Sequence, residues 1–393
     1  MWKSLTARIL EDTSTSGRKF AALDGLRGLA VITVFLSHSS GFRQRLTPWT
    51  SFHGCGHLGV YLFFVLSGFL LAWSLLESGR IRFVGFYLRR FFRIAPLYFL
   101  VVTGVFAIQR LTGQVDLYNL HVKGGWPGYL QHLLFYRGDS VFWTIAAEFE
   151  FYLILPVLVW LLMRWRHVAA TFLAVAALLY GGWYLLIQFG GIDSRYALKI
   201  ARIVHHSQYF DVFLFGILAA WIYRLPRFAA WSETRGQLLD RTAVIVAAVV
   251  AIASVVCIAE HVLVLNREWF PLRHFSILYG IAFAWLVLAA PNGAGLWRRL
   301  LDAPLLRVIG VTGFSWYLLH FPILRAVNAL YHHDPTAGAA IPWSAIEPLK
   351  WATSFVLTGI VAACSYLWIE KPFMVASKSL VQRRRPAPTA VLA

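Results

Sequence analysis

A few ionisable side chains stand inside the long apolar runs of this 393-residue chain. Such groups are costly in lipid, so each points to a function and to a partner. The stretch LDGLRGLAVITVFLSH, 23–38, carries Arg27 and His38. They are 11 positions apart, about 20° from three full helical turns, so both face the same way. The rise between them is about 16 Å. A cation near one end of a span and an imidazole near the other therefore share a face. Asp24, three residues before Arg27, is placed to pair with the guanidinium. Arg90 and Arg93 in RRFFRIAPLY are i,i+3 neighbours, and their forked donors suit phosphate oxygens. Glu148 in WTIAAEFEFYLILP is expected about 10 Å from the outer end of its helix, and His38 about 6 Å from the outer end of its own. That similar depth permits Glu148 to orient the imidazole, the usual partnership of a general base. Asp211 and His320 are two further polar groups within spans.

Each has a plainer alternative. Arg27 could snorkel and His38 could be a packing histidine. Arg90 and Arg93 could be an ordinary positive-inside signal. Asp211 and His320 could be helix–helix hydrogen bonds.

The elements that must position these groups follow from composition. The chain is 59% hydrophobic and 14% charged, with mean hydropathy +0.63, where a soluble domain is about a quarter charged. The apolar runs are continuous rather than alternating, which disfavours a β-barrel. An all-α polytopic bundle of about ten spans is expected, near 20–42, 58–77, 86–109, 141–163, 167–190, 205–223, 242–265, 272–290, 305–331 and 347–370, each near the ~20 residues needed to cross. A short amphipathic piece near 127–137 is expected at the interface. With the N-terminus inside, inner segments hold 23 Lys and Arg and outer segments 12, which places both termini in the cytoplasm. The net charge of +18 belongs to this bias rather than to nucleic-acid binding. Two of the three cysteines lie in apolar runs, so no disulfide framework is implied, and no cleaved signal peptide is expected.

Other patterns are weak or missing. There is no G-x-S-x-G elbow, P-loop or dinucleotide fingerprint. His206 and Asp211 match a His-x4-Asp spacing that chance alone supplies readily. HGCGH, 53–57, suits a plain loop better than a metal site, and no metal is expected.

Taken in order, LDGLRGLAVITVFLSH, GVYLFFVLSGFLL, the Arg90/Arg93 pair, the Glu148 segment, FSWYLLHFPIL and WIEKPF resemble the acyltransferase 3 family of integral membrane O-acyltransferases over about 20–373. The resemblance implies a multi-pass protein of the bacterial inner membrane. It would move an acyl group, usually acetyl, from cytoplasmic acyl-CoA to a hydroxyl. It maps the family's essential histidine onto His38, its paired arginine onto Arg27 and its cytoplasmic arginines onto Arg90 and Arg93. Some members add an SGNH-type domain; WIEKPF is followed here by only a short tail, so the stand-alone form is expected. The chain then divides into a cytoplasmic segment 1–19, a membrane acyltransferase domain 20–373 and a cytoplasmic, disordered tail 374–393.

Acetyl-CoA is the expected donor and a cell-surface carbohydrate the expected acceptor; a small lipophilic alcohol such as a macrolide is the alternative. A transporter without chemistry is the competing class, but paired broken helices are not evident. Oligomeric state is left open, as is the choice between a general base and an acyl-histidine at His38.

Overall fold

A computed structural model describes residues 2–10, 20–48, 51–113, 120–189, 209–263, 275–331, 344 and 346–383. The described residues are helical with no strand. We number the helices α1 Trp2–Leu10, α2 Ala21–Gly41, α3 Gly56–Ser78, α4 Phe83–Thr112, α5 Gly125–Leu133, α6 Trp143–Phe189, α7 Phe210–Tyr223, α8 Pro226–Thr234, α9 Gly236–Leu263, α10 Ser276–Asn292, α11 Leu296–Leu301, α12 Pro304–Val311, α13 Gly313–Leu330, α14 Ile346–Ser365 and α15 Lys371–Arg383. A π-helical turn, Tyr366–Glu370, joins the last two.

Six described stretches are long and apolar enough to cross a membrane, and a seventh is counted if α7 and α8, bent by 80°, form one span. The chain is a multi-pass membrane protein. The difference from ten expected spans has local causes. Spans expected at 141–163 and 167–190 join in α6 across non-helical Trp165 and Arg166. The span expected at 305–331 is broken into α12 and α13 at Thr312. Helices α7 and α10 have 14 and 17 residues. The amphipathic piece expected near 127–137 overlaps α5, Gly125–Leu133.

Helix α3 is central: 72% of its apolar window is buried, against 17% for α9, which faces outward. It packs between α2 and α7. Small residues allow the close crossings, because backbones approach only where no Cβ intervenes. A Cβ on Gly68 would lie 2.5 Å from the Phe213 carbonyl oxygen, and one on Gly28 2.1 Å from that of Leu306. So α3 meets α7, and α2 meets α12, almost backbone to backbone.

Helices near both ends of the chain pack against the rest of the bundle. Ile9 of α1 is buried against Val308, Val311 and Tyr366. The Lys371 ammonium donates to the Arg8 carbonyl at 2.9 Å. The tail expected beyond 374 is helical through Arg383 and packs on α4, with Ser377 buried. Residues 384–393 lie outside the described set.

Candidate functional site

Helices α2 and α3 run antiparallel. At one end, a Cβ on Gly56 would touch Ser37 and lie 3.8 Å from His38 Nε2. Eleven residues on, Ser67 is about 16 Å deeper, the same rise that separates His38 from Arg27. Two sites result, one at each level.

At the deeper level a cavity of about 380 Å³ collects Asp24 and Arg27 from α2, Arg90 and Arg93 from α4, and Glu148 from α6. Lys378 of α15 also lines it, so the charged lining has four cations against two carboxylates. Asp24 and Arg27 form an ion pair at 3.5 Å. Glu148 accepts from Ser67 Oγ at 2.7 Å and, in a short bond, from the Tyr152 hydroxyl one turn on. Arg90 Nε is buried and has no hydrogen-bond partner among the described residues. A buried, unsatisfied donor on a cation is costly, and an anionic oxygen in the cavity would remove that cost.

At the other level His38 meets His320. His38 Nδ1 lies 2.6 Å from His320 Nε2, with the rings within 7° of parallel. Aromatic rings wall the pair: Phe321 stands edge-on to both imidazoles, and Phe35 lies 6.4 Å from His320. Tyr317 links the levels. It lines the deeper cavity and, with His320, a small void beside α2. Its hydroxyl donates to the Val141 carbonyl at 2.8 Å.

The expected partnership of Glu148 with His38 is therefore corrected. Matching depth along two helices left the neighbouring helix free to choose. The antiparallel course of α3 puts Ser67, and hence Glu148, at the level of the arginines. The partner of His38 is His320, expected as a further polar group in a span or a helix–helix hydrogen bond, with no partner named. Asp211 belongs to neither site: its Oδ2 accepts from Ser276 Oγ at 2.5 Å at the α7–α10 contact. Its Oδ1 is buried without a partner among the described residues, and His206 lies outside them. In the 53–57 loop the His57 ring stacks 6.4 Å from Trp143, and the Cys55 thiol donates to the Ser254 carbonyl at 3.6 Å. The described residues contain no group of three metal-ligating side chains.

Ser67, Tyr152, Tyr317 and Lys378 were not singled out from sequence. Only Tyr152 carried a signal, its i,i+4 spacing from Glu148. Ser67 and Tyr317 sit in apolar runs and read as packing residues.

Comparison with known proteins identifies the family. A family model described as an acyltransferase domain matches residues 20–369. The chain is 26% identical to the O-acetyltransferase OatA of Staphylococcus aureus, over 91% of this chain and 57% of that protein. It is 25% identical to the peptidoglycan O-acetyltransferase OatA of Listeria monocytogenes, over 92% and 57%. It is 26% identical to the acyltransferase MdmB of Streptomyces mycarofaciens, over 95% of both chains. The chain thus spans little more than half the length of the OatA proteins. No solved structure matches it. On the family match across most of its length, the chain belongs to the acyltransferase 3 family of membrane O-acyltransferases.

Proposed function

We propose that this chain transfers an acetyl group from acetyl-CoA, entering from the cytoplasmic side of a bacterial inner membrane, to a hydroxyl of a cell-surface carbohydrate. The carrying observation is the cavity in which Arg27, Arg90 and Arg93 converge and Arg90 Nε lacks a partner among the described residues. A phosphate-bearing donor supplies the oxygens those guanidinium groups need. With the diphosphate at Arg90 and Arg93, and Lys378 at the rim, the pantetheine arm would run past Arg27 toward His38. The rise of about 16 Å along α2 is within reach of such an extended arm.

His38 then takes the proton of the acceptor hydroxyl as its oxygen attacks the thioester carbonyl. The C–S bond breaks, and the leaving thiolate receives the proton from the imidazole. Relatives whose printed names specify O-acetyl transfer, one of them to peptidoglycan, support this class of acceptor. A small lipophilic alcohol, such as a macrolide, is a second reading. The match with MdmB, over 95% of both chains, is to a protein named only as an acyltransferase, and so supports acyl transfer without fixing a glycan as the acceptor.

The test is purified protein in proteoliposomes, given acetyl-CoA labelled in the acetyl group on one side and a candidate acceptor on the other. Label should move to the acceptor with the wild type and not with His38→Ala. Acceptor that stays unlabelled with every glycan and small alcohol tried, while the protein is folded, would refute acyl transfer. A C-terminal reporter active only outside the cell would overturn the orientation.

A further inference from the structure

We propose that His320 is a positioning residue: it fixes the tautomer of His38 so that Nε2, on the side of Gly56, is the nitrogen that takes the proton. The inference rests on the acyl-transfer reading of His38 given above.

The argument begins at His320 Nδ1. It lies 2.7 Å from the Tyr317 carbonyl oxygen and 3.1 Å from that of Trp316. Carbonyl oxygens only accept, so Nδ1 carries the hydrogen. A neutral imidazole has one N–H, so His320 Nε2 is an acceptor. His38 Nδ1, 2.6 Å away, must then be the donor. That leaves the lone pair of His38 on Nε2. The reverse tautomer would put two N–H groups, or two lone pairs, against each other somewhere along this chain of contacts.

The surroundings hold the arrangement. His320 is 1% exposed and sits on a helix whose own carbonyls anchor it. The near-coplanar rings keep the N–H of His38 aimed at the acceptor. No described residue makes an ion pair with either histidine, and the other titratable groups that face His38 are His53 and His57. On the opposite edge of His38, Nε2 faces Gly56, where an added Cβ would lie at an ordinary contact distance of 3.8 Å.

The same contact serves the reaction. When the acceptor hydroxyl gives its proton to Nε2, His38 becomes an imidazolium. Its Nδ1–H bond to His320 is then charge-assisted, and such bonds are roughly twice as strong as neutral ones. The positive charge is delocalised toward a ring whose own N–H points into two carbonyl oxygens. The stabilisation therefore grows as the transition state is approached, which is where it raises turnover.

The experiment has two arms. In the first, solid-state NMR of histidine-¹⁵N-labelled wild type in lipid reads the tautomers directly. Protonated Nδ1 and unprotonated Nε2 on His38 are expected; protonated Nε2 overturns the proposal. This arm needs no turnover, so it stands even if no acceptor is found, and it separates failure of this inference from failure of the acyl-transfer reading. In the second, His320→Leu and His320→Gln are compared in the acetyl-transfer assay. Leucine should lower kcat about tenfold or more and leave the KM for acetyl-CoA within about threefold. Glutamine, whose amide oxygen can accept from His38 Nδ1, should recover at least about threefold of that loss. A smaller drop for leucine, a loss carried by KM, or no recovery with glutamine overturns the proposal. If His320→Leu does not fold, the NMR arm decides.

Discussion

Ser67 on α3 donates a hydrogen bond of 2.7 Å to Glu148 on α6, and so ties the carboxylate to the arginine-lined cavity rather than to the histidine pair. The bond assigns Glu148 an electrostatic part. It is one of two carboxylates that offset the cations of the cavity lining. Glu148→Gln keeps an oxygen that can accept from Ser67 and removes only the charge. The expected outcome is a KM for acetyl-CoA that is unchanged or lower, with kcat within about tenfold of wild type. A residue that oriented the catalytic base would instead lose about 10² or more in kcat. Steady-state kinetics in proteoliposomes distinguish the two.

Arg90 and Arg93 are the contacts expected to carry donor affinity. Removing one charge-assisted phosphate contact costs about 1.5–3 kcal/mol. Arg90→Ala and Arg93→Ala should therefore each raise the Kd for acetyl-CoA roughly tenfold to a hundredfold. Isothermal titration in detergent measures this. The same variants should hardly change binding of acetyl-pantetheine, which lacks the nucleotide phosphates. A parallel loss for both ligands would place the phosphates elsewhere.

Gly68 is fixed by the crossing of α3 and α7. A Cβ there would lie 2.5 Å from the Phe213 carbonyl oxygen and 3.2 Å from Gly216 Cα, so Gly68→Ala must force backbones apart. Overpacking of this kind costs about 1–3 kcal/mol. Gly104 in α4 is the control, because a Cβ there meets nothing within 4 Å. Gly104→Ala should be neutral or stabilising by about 0.5–1 kcal/mol, as a helical glycine is replaced. Thermal unfolding in detergent should show a lower Tm for the first and not for the second.

His132 links α5 to the turn before α6. The Asp139 backbone N–H donates to its Nε2 at 3.0 Å, and its Nδ1 lies 2.8 Å from the Gly128 carbonyl. Burial holds its pKa below the ordinary value of 6.5. The native ring therefore stays neutral where the unfolded one is protonated. The unfolded state binds more protons in that window, so local stability is full above about pH 6.5 and falls as pH drops through it toward the folded pKa. Hydrogen-exchange protection factors at 120–139, taken against the intrinsic rate at each pH, should fall over that range, and His132→Gln should flatten the dependence.

The sequence by itself determined the membrane-embedded helical class, because a 14% charged chain with continuous apolar runs has no other way to satisfy its backbone in lipid. It also determined the shared face of Arg27 and His38, the pairing of Asp24 with Arg27 and the convergence of Arg90 with Arg93, since these follow from the period of a single helix. Helical period carries no information across helices. That Glu148 faces Ser67, that His38 faces a histidine 282 positions later, and that Lys378 of the C-terminal helix joins the cavity were decided by the tertiary structure. The deciding contacts are close helix crossings at Gly28, Gly68 and Gly216, where backbone-to-backbone packing sets which depths of neighbouring helices coincide. The breaks at Trp165–Arg166 and Thr312 also became visible only in three dimensions. Hydropathy averages over such interruptions, since a window of apolar residues reads the same whether the backbone runs straight or turns within it.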